Sequence, residues 1–209
     1  MPDYTLFTNP MSRGQIARWA LLEAGAEYQQ RLTEWGPPLP ELLALNPMGK
    51  VPTLVHHHGG HDHVVTEAAA ICHYLAEMSA PDLLPRQEEK ADYFRYLFFA
   101  AGPMEQAITA QSMGWRPDGP QKEGMAGFGS FERAVGTFEK MLNGRDYVCG
   151  DRFTMADVYV GAQVDWGLQF NTLPERETFT VYAGRLRQRE GYQATKKIDN
   201  ALIAELQNG

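Results

Sequence analysis

The sequence predicts a two-domain protein, in which an α/β domain at residues 1–80 precedes an all-α helical domain at residues 86–209. Short β-like runs alternate with amphipathic helical runs in the first part, as expected of a compact α/β unit. Pro81 and Pro85 then bracket a stretch that cannot continue a helix, because proline lacks the N–H donor and restricts the preceding residue. Beyond this linker almost every segment has helical periodicity.

Apolar spacing and turn residues define the elements of the α/β domain. Ile16, Ala20 and Ala24 recur at helical spacing, and Gly25 follows at the position of a helix-ending glycine. Gly59-Gly60 separates two β-like runs and predicts a hairpin with a long loop. In order, the sequence predicts a strand at Tyr4–Thr8, a helix at Ser12–Ala24, a strand at Glu27–Leu32, hairpin strands at Val51–Val55 and His63–Thr66, and a helix at Ala68–Met78.

The same signals define the irregular segments and the helical domain. Gly36–Pro40 is too rich in proline for regular structure, and Ser130 is a good N-cap for a helix. Val158–Phe170 is apolar on nearly every side, so this helix should lie inside its domain. The predicted helices are Lys90–Ala101, interrupted near Gly102-Pro103, a helix from the Ser130 cap to Leu142, Thr154–Phe170, Phe179–Arg189 and Gln193–Leu206.

The composition argues against several classes of function. The 209 residues carry a formal charge of −7, which argues against nucleic-acid or anionic-membrane binding. No apolar run approaches the roughly 18–20 residues of a membrane span, and the N-terminus lacks the pattern of a signal peptide. Because Cys72 and Cys149 are the only cysteines, a disulfide framework is not expected. We therefore expect a cytoplasmic protein.

Two motifs flank the predicted hairpin. In Asn46–Pro52 (NPMGKVP), a cis Val51-Pro52 bond would turn the backbone of Val51 outward to pair with an extended peptide, whereas the alternative is an ordinary proline turn. At Thr66–Ala68, the helix N-terminus offers N–H groups to a carboxylate, and Glu67 can accept from an ammonium group. Such a pair suits an α-amino acid, although Glu67 can equally serve only to complement the helix dipole.

A third motif, Asn9–Gly14 (NPMSRG), lies at the first strand-to-helix turn. Ser12 can serve simply as the N-cap of its helix. Alternatively, its hydroxyl and the Arg13 side chain, beside the positive end of the helix dipole, can stabilise a thiolate or another anion. The residues alone leave both roles open.

The order and spacing of these motifs resemble the cytosolic glutathione transferases. Members have a thioredoxin-like α/β N-terminal domain, a short linker and an all-α C-terminal domain, so the resemblance implies this fold. Phe153–Asp157 (FTMAD) is similar to the buried capping box of the family, in which Thr154 would cap a helix and Asp157 would return a hydrogen bond to the Thr154 N–H. The resemblance extends from Thr5 to about Leu206.

The resemblance implies glutathione-binding roles for five residues. Val51 would pair with the cysteinyl backbone of glutathione, and Pro52 would hold the cis turn. Glu67 and the N–H of Ala68 would hold the γ-glutamyl end, while Lys50 would meet the glycyl or central part. Because Ala68 replaces the usual serine, we expect weaker rather than absent binding.

The thiol-activating residue depends on the branch of the family that is matched. Arg13-Gly14 aligns with the Arg-Gly of tyrosine-type members and puts Asn9 in the place of their tyrosine. The chain therefore resembles the serine-type, bacterial-like members. This resemblance implies Ser12 as hydrogen-bond donor to the thiolate, Arg13 as a source of positive potential and Asn9 as the reserve candidate.

The resemblance also implies an activity and an assembly. We expect a detoxifying transferase that conjugates glutathione to a small apolar electrophile, acts as a homodimer, and has neither nucleic acid nor membrane as a partner. Glutathione-dependent isomerisation, dehalogenation, or disulfide or peroxide reduction would use the same thiolate. A non-catalytic module with the same fold is a further alternative.

One histidine cluster lies outside these motifs. Five of the six histidines fall in His56–His63 (HHHGGHDH), and clustered imidazoles can bind Zn²⁺, Ni²⁺ or Cu²⁺. Alternation along a strand would put His56 and His58 on one face. A hairpin tip normally carries solvated polar residues, so we expect no metal ion as a cofactor.

Overall fold

A computed structural model describes residues 2–208, so Met1 and Gly209, the outer ends of the two predicted domains, lie outside the described residues. The contacts divide the chain into two compact units. One comprises the chain up to Leu84 together with the C-terminal segment from residue 187, and the other comprises Pro85–Leu186. The division near Leu84 falls within the predicted linker.

The first unit is built on a four-stranded mixed sheet. The strands are β1 (Tyr4–Thr8), β2 (Tyr28–Leu32), β3 (Thr53–His58) and β4 (His61–Thr66), in the order β2-β1-β3-β4. β1 and β2 are parallel, whereas β3 is antiparallel to both β1 and β4. This is the α/β architecture that the sequence predicts.

Ten α-helices are present within residues 2–208, and four of them belong to the first unit. They are α1 (Gly14–Glu23), α2 (Pro40–Leu45), α3 (Ala68–Ser79), α4 (Lys90–Phe99), α5 (Glu105–Ser112), α6 (Pro120–Met125), α7 (Phe131–Leu142), α8 (Met155–Gln169), α9 (Glu177–Leu186) and α10 (Glu190–Asn208). α1 contacts both α3 and α10, whereas Leu42 of α2 joins Phe7 and Val55 of the sheet in a buried apolar cluster.

The hairpin differs from its prediction. β3 continues to His58 and β4 begins at His61, so a two-residue turn replaces the expected long loop. Gly59 and Gly60 have φ of 61° and 79°, the left-handed pair that matches the twist of two antiparallel strands. The histidines therefore belong to strands rather than to a loop.

Two helices begin in proline-containing segments that the sequence analysis did not assign as helical. α2 starts at Pro40, the last residue of the stretch predicted to be irregular, and α6 starts at Pro120. Proline is well tolerated in the first helical turn, because its missing N–H has no partner there in any case.

The second unit contains α4–α9 and confirms three local predictions. Ser130 caps α7 by accepting from the Arg133 N–H at 3.2 Å. A π-helical turn at Ala100–Met104, containing Pro103, interrupts the helical run where the sequence indicates a break. α8 is buried on nearly every side. Among residues 2–208, no helix combines the length and apolar character that a membrane crossing requires.

Candidate functional site

Strand register brings the three sequence motifs to one end of the sheet. Phe7 of β1 pairs with Thr53 of β3, and Thr53 pairs with Thr66 of β4. The turn after β1, the loop before β3 and the turn after β4 therefore open at the same end, which we call the motif end. They contain the motifs Asn9–Gly14, Asn46–Pro52 and Thr66–Ala68.

The loop before β3 presents an unpaired stretch of main chain. The Val51-Pro52 peptide bond is cis, as the sequence analysis anticipated. Val51 is half-buried, and no hydrogen bond from another residue in the range 2–208 reaches its N–H or carbonyl. Unpaired main-chain groups beside a strand are the groups with which an extended peptide forms hydrogen bonds.

Asn46 holds this loop in place, a role that the sequence analysis did not assign. Its buried side-chain amide donates to the Lys50 carbonyl at 3.1 Å and lies 3.2 Å from Thr53 Oγ1. Its Oδ1 accepts from the Met48 N–H at 3.1 Å. The signal was present in the sequence, because Asn46 is the first residue of the motif, but its partners depend on how the loop folds.

Glu67 joins β4 to α3 in a conformation that is rare for its residue type. It has φ of 64° and ψ of 114°, and its side chain makes no capping hydrogen bond. A non-glycine residue at such φ costs of order 1–3 kcal/mol, and residues of this kind cluster at ligand-binding sites. The first-turn N–H groups of α3, beginning at Ala68, have no partner within the helix and point toward this end of the sheet.

The turn after β1 is held by two polar side chains. The Ser12 hydroxyl donates to the Asn9 carbonyl at 2.7 Å and accepts from the Gly14 N–H at 3.0 Å. The buried Asn9 amide donates to the Thr33 carbonyl at 2.8 Å, and its Oδ1 accepts from the Met11 N–H at 2.8 Å. Ser12 is half-buried and precedes α1, whose N-cap is Arg13, so Ser12 is not the N-cap that the sequence suggested. Asn9 lies within the protein and shapes the turn.

The motif end offers positive potential but no cysteine. Arg13 and Lys50 are exposed there, and α1 and α3 both begin there, so the positive ends of two helix dipoles meet. Burial raises the pKa of the Cys72 thiol, and burial also raises the pKa of Cys149 to about 11. Neither cysteine therefore provides a thiolate at neutral pH.

The described residues contain no ready-made metal centre. Within residues 2–208, no three histidine, cysteine, aspartate or glutamate side chains stand in positions that could hold one ion. Any metal ion would require rearranged side chains.

Comparison with known proteins extends over both units. Residues 2–77 match the family model described as glutathione S-transferase, N-terminal domain, and residues 85–197 match glutathione S-transferase, C-terminal domain. The chain belongs to the glutathione S-transferase family. This membership confirms the predicted family and its fold, a thioredoxin-like α/β domain followed by a helical domain.

Relatives of this family member occur in fungi, bacteria, an insect and a plant. Glutathione S-transferase 1 of Schizosaccharomyces pombe is 37% identical over 127 residues, covering 57% of this chain and 54% of that protein. The aligned part thus spans about half of the yeast protein. Glutathione S-transferase GstA of Escherichia coli O157:H7 is 28% identical over 170 residues, covering 79% of this chain and 78% of that protein.

A solved structure agrees with the fold of this family member. The theta class glutathione S-transferase of Xanthomonas axonopodis pv. citri, solved with glutathione bound, superposes with a TM-score of 0.71 at 26% sequence identity. The match covers 93% of this chain and 97% of that one.

Proposed function

We propose that this protein is a glutathione transferase that conjugates the glutathione thiolate to small apolar electrophiles. The observation that carries the proposal is the convergence at the motif end of an unpaired Val51 backbone, a strained Glu67 and the N-terminus of α1. An extended, anionic tripeptide with a free α-amino acid end matches this combination. The bound glutathione of the Xanthomonas relative supports the same ligand.

Each proposed binding residue would contact a particular part of glutathione. The N–H and carbonyl of Val51, presented by Pro52, would pair with the cysteinyl backbone. Glu67 would accept from the γ-glutamyl ammonium group, the N–H of Ala68 would donate to its carboxylate, and Lys50 would attract the glycyl end. An alanine at 68 removes one side-chain donor, so this proposal includes binding weaker than a serine would give.

Thiol activation is proposed to be of the serine type, as in bacterial-like members. The Ser12 hydroxyl would rotate from the Asn9 carbonyl to donate to the thiolate, while Arg13 and the α1 dipole would add positive potential. Lowering a thiol pKa from about 8.5 by about two units requires roughly 2.7 kcal/mol. Asn9, the reserve candidate, is supported less well, because its amide already holds the turn.

The proposed activation is tested by titrating the thiolate absorbance of bound glutathione against pH. We expect Ser12→Ala and Arg13→Ala each to raise the apparent thiol pKa and to lower the conjugation rate at neutral pH. Ser130→Ala is the matched control, because it removes an N-cap serine from the second unit and should leave the thiol pKa unchanged. If neither Ser12→Ala nor Arg13→Ala moves the titration, the assignments are wrong.

Competing activities are separated by ligand and substrate. In a calorimetric titration, absence of binding at millimolar glutathione would favour a non-catalytic scaffold over an enzyme. Assays with a chloronitrobenzene, a cis-alkene of the maleyl type, a halogenated compound, and a disulfide or peroxide then separate conjugation from isomerisation, dehalogenation and reduction. We further propose that the protein is a cytoplasmic homodimer with neither nucleic acid nor membrane as a partner. Analytical ultracentrifugation would test the dimer.

A further inference from the structure

The hairpin of β3 and β4 gathers four imidazoles on one of its faces. The register pairs His56 with His63 and His58 with His61, and the turn Gly59-Gly60 closes the ribbon. Directly paired residues share a face, and so do residues two apart on one strand. His56, His58, His61 and His63 therefore form one surface, which we call the histidine face.

The fifth histidine of the cluster lies on the opposite face and is already engaged. His57 Nε2 lies 2.8 Å from Thr5 Oγ1, and His57 Nδ1 lies 2.6 Å from Asp62 Oδ1. Both ring nitrogens thus have partners, so His57 has no nitrogen free for a metal ion. The sequence cluster is thereby divided into one engaged histidine and four that share a surface.

The histidine face leaves nitrogen atoms available. His56 is buried and held by the Tyr74 hydroxyl, 2.9 Å from Nδ1, which orients the ring and leaves Nε2 without a hydrogen bond in the described structure. His58, His61 and His63 are exposed, and within residues 2–208 their side chains make no hydrogen bonds. These are the conditions under which imidazole nitrogens can coordinate metal ions.

The spacing of the rings suits a shared ion. The ring centroid of His56 lies 5.1 Å from that of His58 and 6.4 Å from that of His63. Two imidazoles on one ion, each with a metal–nitrogen distance of about 2 Å, have centroids about 5 Å apart. No three donors converge among residues 2–208 in their present rotamers, so binding of an ion requires the exposed rings to change rotamer.

We propose that the histidine face binds a divalent transition-metal ion of the imidazole-preferring kind, with Cu²⁺ held more tightly than Zn²⁺. His56, oriented by Tyr74, and its neighbours His58 and His63 contribute the ligands, and His61 stands beside them. The face is distinct from the motif end. His58 and Thr53 mark opposite ends of β3, about 17 Å apart at 3.3 Å per residue.

The proposal is tested on tag-free protein by calorimetric titration with Cu²⁺ and with Zn²⁺, without glutathione, whose thiol would compete for the ions. We expect His58→Asn/His63→Asn to weaken binding by about tenfold or more. Both residues are exposed strand positions that asparagine can occupy, and circular dichroism checks the fold of the variant. In the electron paramagnetic resonance spectrum of the bound Cu²⁺, hyperfine splitting from imidazole nitrogen should be present in the wild type and reduced in this variant.

His57→Asn is the matched control, because it removes an imidazole from the same sequence cluster but from the opposite face. We expect this variant to bind both ions as the wild type does. The proposal is overturned if the wild type fails to bind either ion, if His58→Asn/His63→Asn binds as tightly as the wild type, or if His57→Asn loses as much affinity as the double variant. The last result would identify a flexible histidine tract without face selectivity.

Discussion

At the residue scale, Gly14 is required by the side chain next to it. A Cβ at position 14 would stand 3.0 Å from Thr8 Cβ and well inside van der Waals contact of Thr8 Oγ1. Thr8 is fully buried, and among the described residues its hydroxyl has no hydrogen-bond partner. The absence of a side chain at Gly14 is therefore what allows α1 to start so close to the end of β1.

Gly14→Ala should lower the free energy of unfolding by about 1–3 kcal/mol, because it overpacks this contact. Thr8→Ala in the same background should recover part of the loss. Urea denaturation measures both. Gly136→Ala in α7 is the control, since no atom lies within 4 Å of its added Cβ and its effect should be neutral or stabilising by about 0.5–1 kcal/mol. If Gly14→Ala and Gly136→Ala lowered the free energy of unfolding equally, the packing explanation would be wrong.

Glu67 combines backbone strain with a proposed ligand contact. Glycine adopts positive φ without a Cβ penalty, so Glu67→Gly should raise the free energy of unfolding by about 1 kcal/mol while weakening glutathione binding. Glu67→Gln keeps the Cβ and should weaken binding with no gain in stability. Thermal unfolding and calorimetry on the two variants measure these effects. A glycine variant no more stable than the glutamine variant would show that the backbone is not strained.

At the element scale, the start of α8 depends on Asp157. Its Oδ2 accepts from the Thr154 N–H at 2.8 Å, as the sequence motif predicts, and its Oδ1 accepts from the Val148 N–H and the Tyr182 hydroxyl, each at 2.7 Å. Burial raises the pKa of Asp157 from 3.8 to about 6, although these three hydrogen bonds each favour the charged form. The helix cap is thus also a buried titrating group.

The pH dependence of stability should reveal this group. The folded state keeps the Asp157 proton up to about pH 6, whereas the unfolded state loses it near pH 4, so this residue's contribution to stability falls as pH rises through that window. Relative to Asp157→Asn, the wild type should lose about 3 kcal/mol of unfolding free energy between these values. Denaturant unfolding at several pH values measures the difference. A difference that stays flat or rises with pH would contradict the raised pKa.

The hairpin and α2 show which element boundaries local sequence cannot predict. The histidines of β3 and β4 are too polar to indicate strands. β4 is an edge strand, where polar side chains are tolerated once the backbone is paired, whereas β3 lies inside the sheet and its histidines are held in the strand by pairing with β4. Pro40 was interpreted as part of an irregular stretch, but it occupies the first turn of α2. In both cases pairing or packing outweighed the local signal.

At the scale of the whole molecule, the C-terminal segment is connected to the first unit by a buried ion pair. Arg18 of α1 donates from Nε to Asp199 of α10 at 2.9 Å, and the two side chains are 0% and 1% exposed. The Arg18 guanidinium also donates to the Tyr28 hydroxyl and to Gln30 Oε1, each at 2.8 Å. Residues 187–208 therefore group by contact with the first unit, although the predicted domain boundaries place them in the second.

Asp199→Ala should lower the free energy of unfolding by about 3–5 kcal/mol, because it leaves the Arg18 charge buried without a counter-ion. Arg18→Met/Asp199→Leu should recover most of this loss, since neither charge remains. Asp146→Ala is the control, because the exposed pair of Asp146 with Arg185 is worth at most about 1 kcal/mol. Chemical denaturation measures all three. If Asp199→Ala lowers the free energy of unfolding by no more than Asp146→Ala does, the ion pair of Arg18 with Asp199 does not hold α10 in place.

The sequence by itself determined the two-part architecture and the order of the motifs, and its resemblance to a known family implied the cis bond before Pro52 and the cap of α8 at Thr154, both of which are present. These features depend on residues close together in the chain, so their spacing and turn-forming residue types can be recognised in a short stretch of sequence. Tertiary structure alone decided that Asn46 holds the loop, that four histidines share a face and that Asp199 meets Arg18. Strand register and burial bring together residues that are distant in sequence, so no local pattern encodes those contacts.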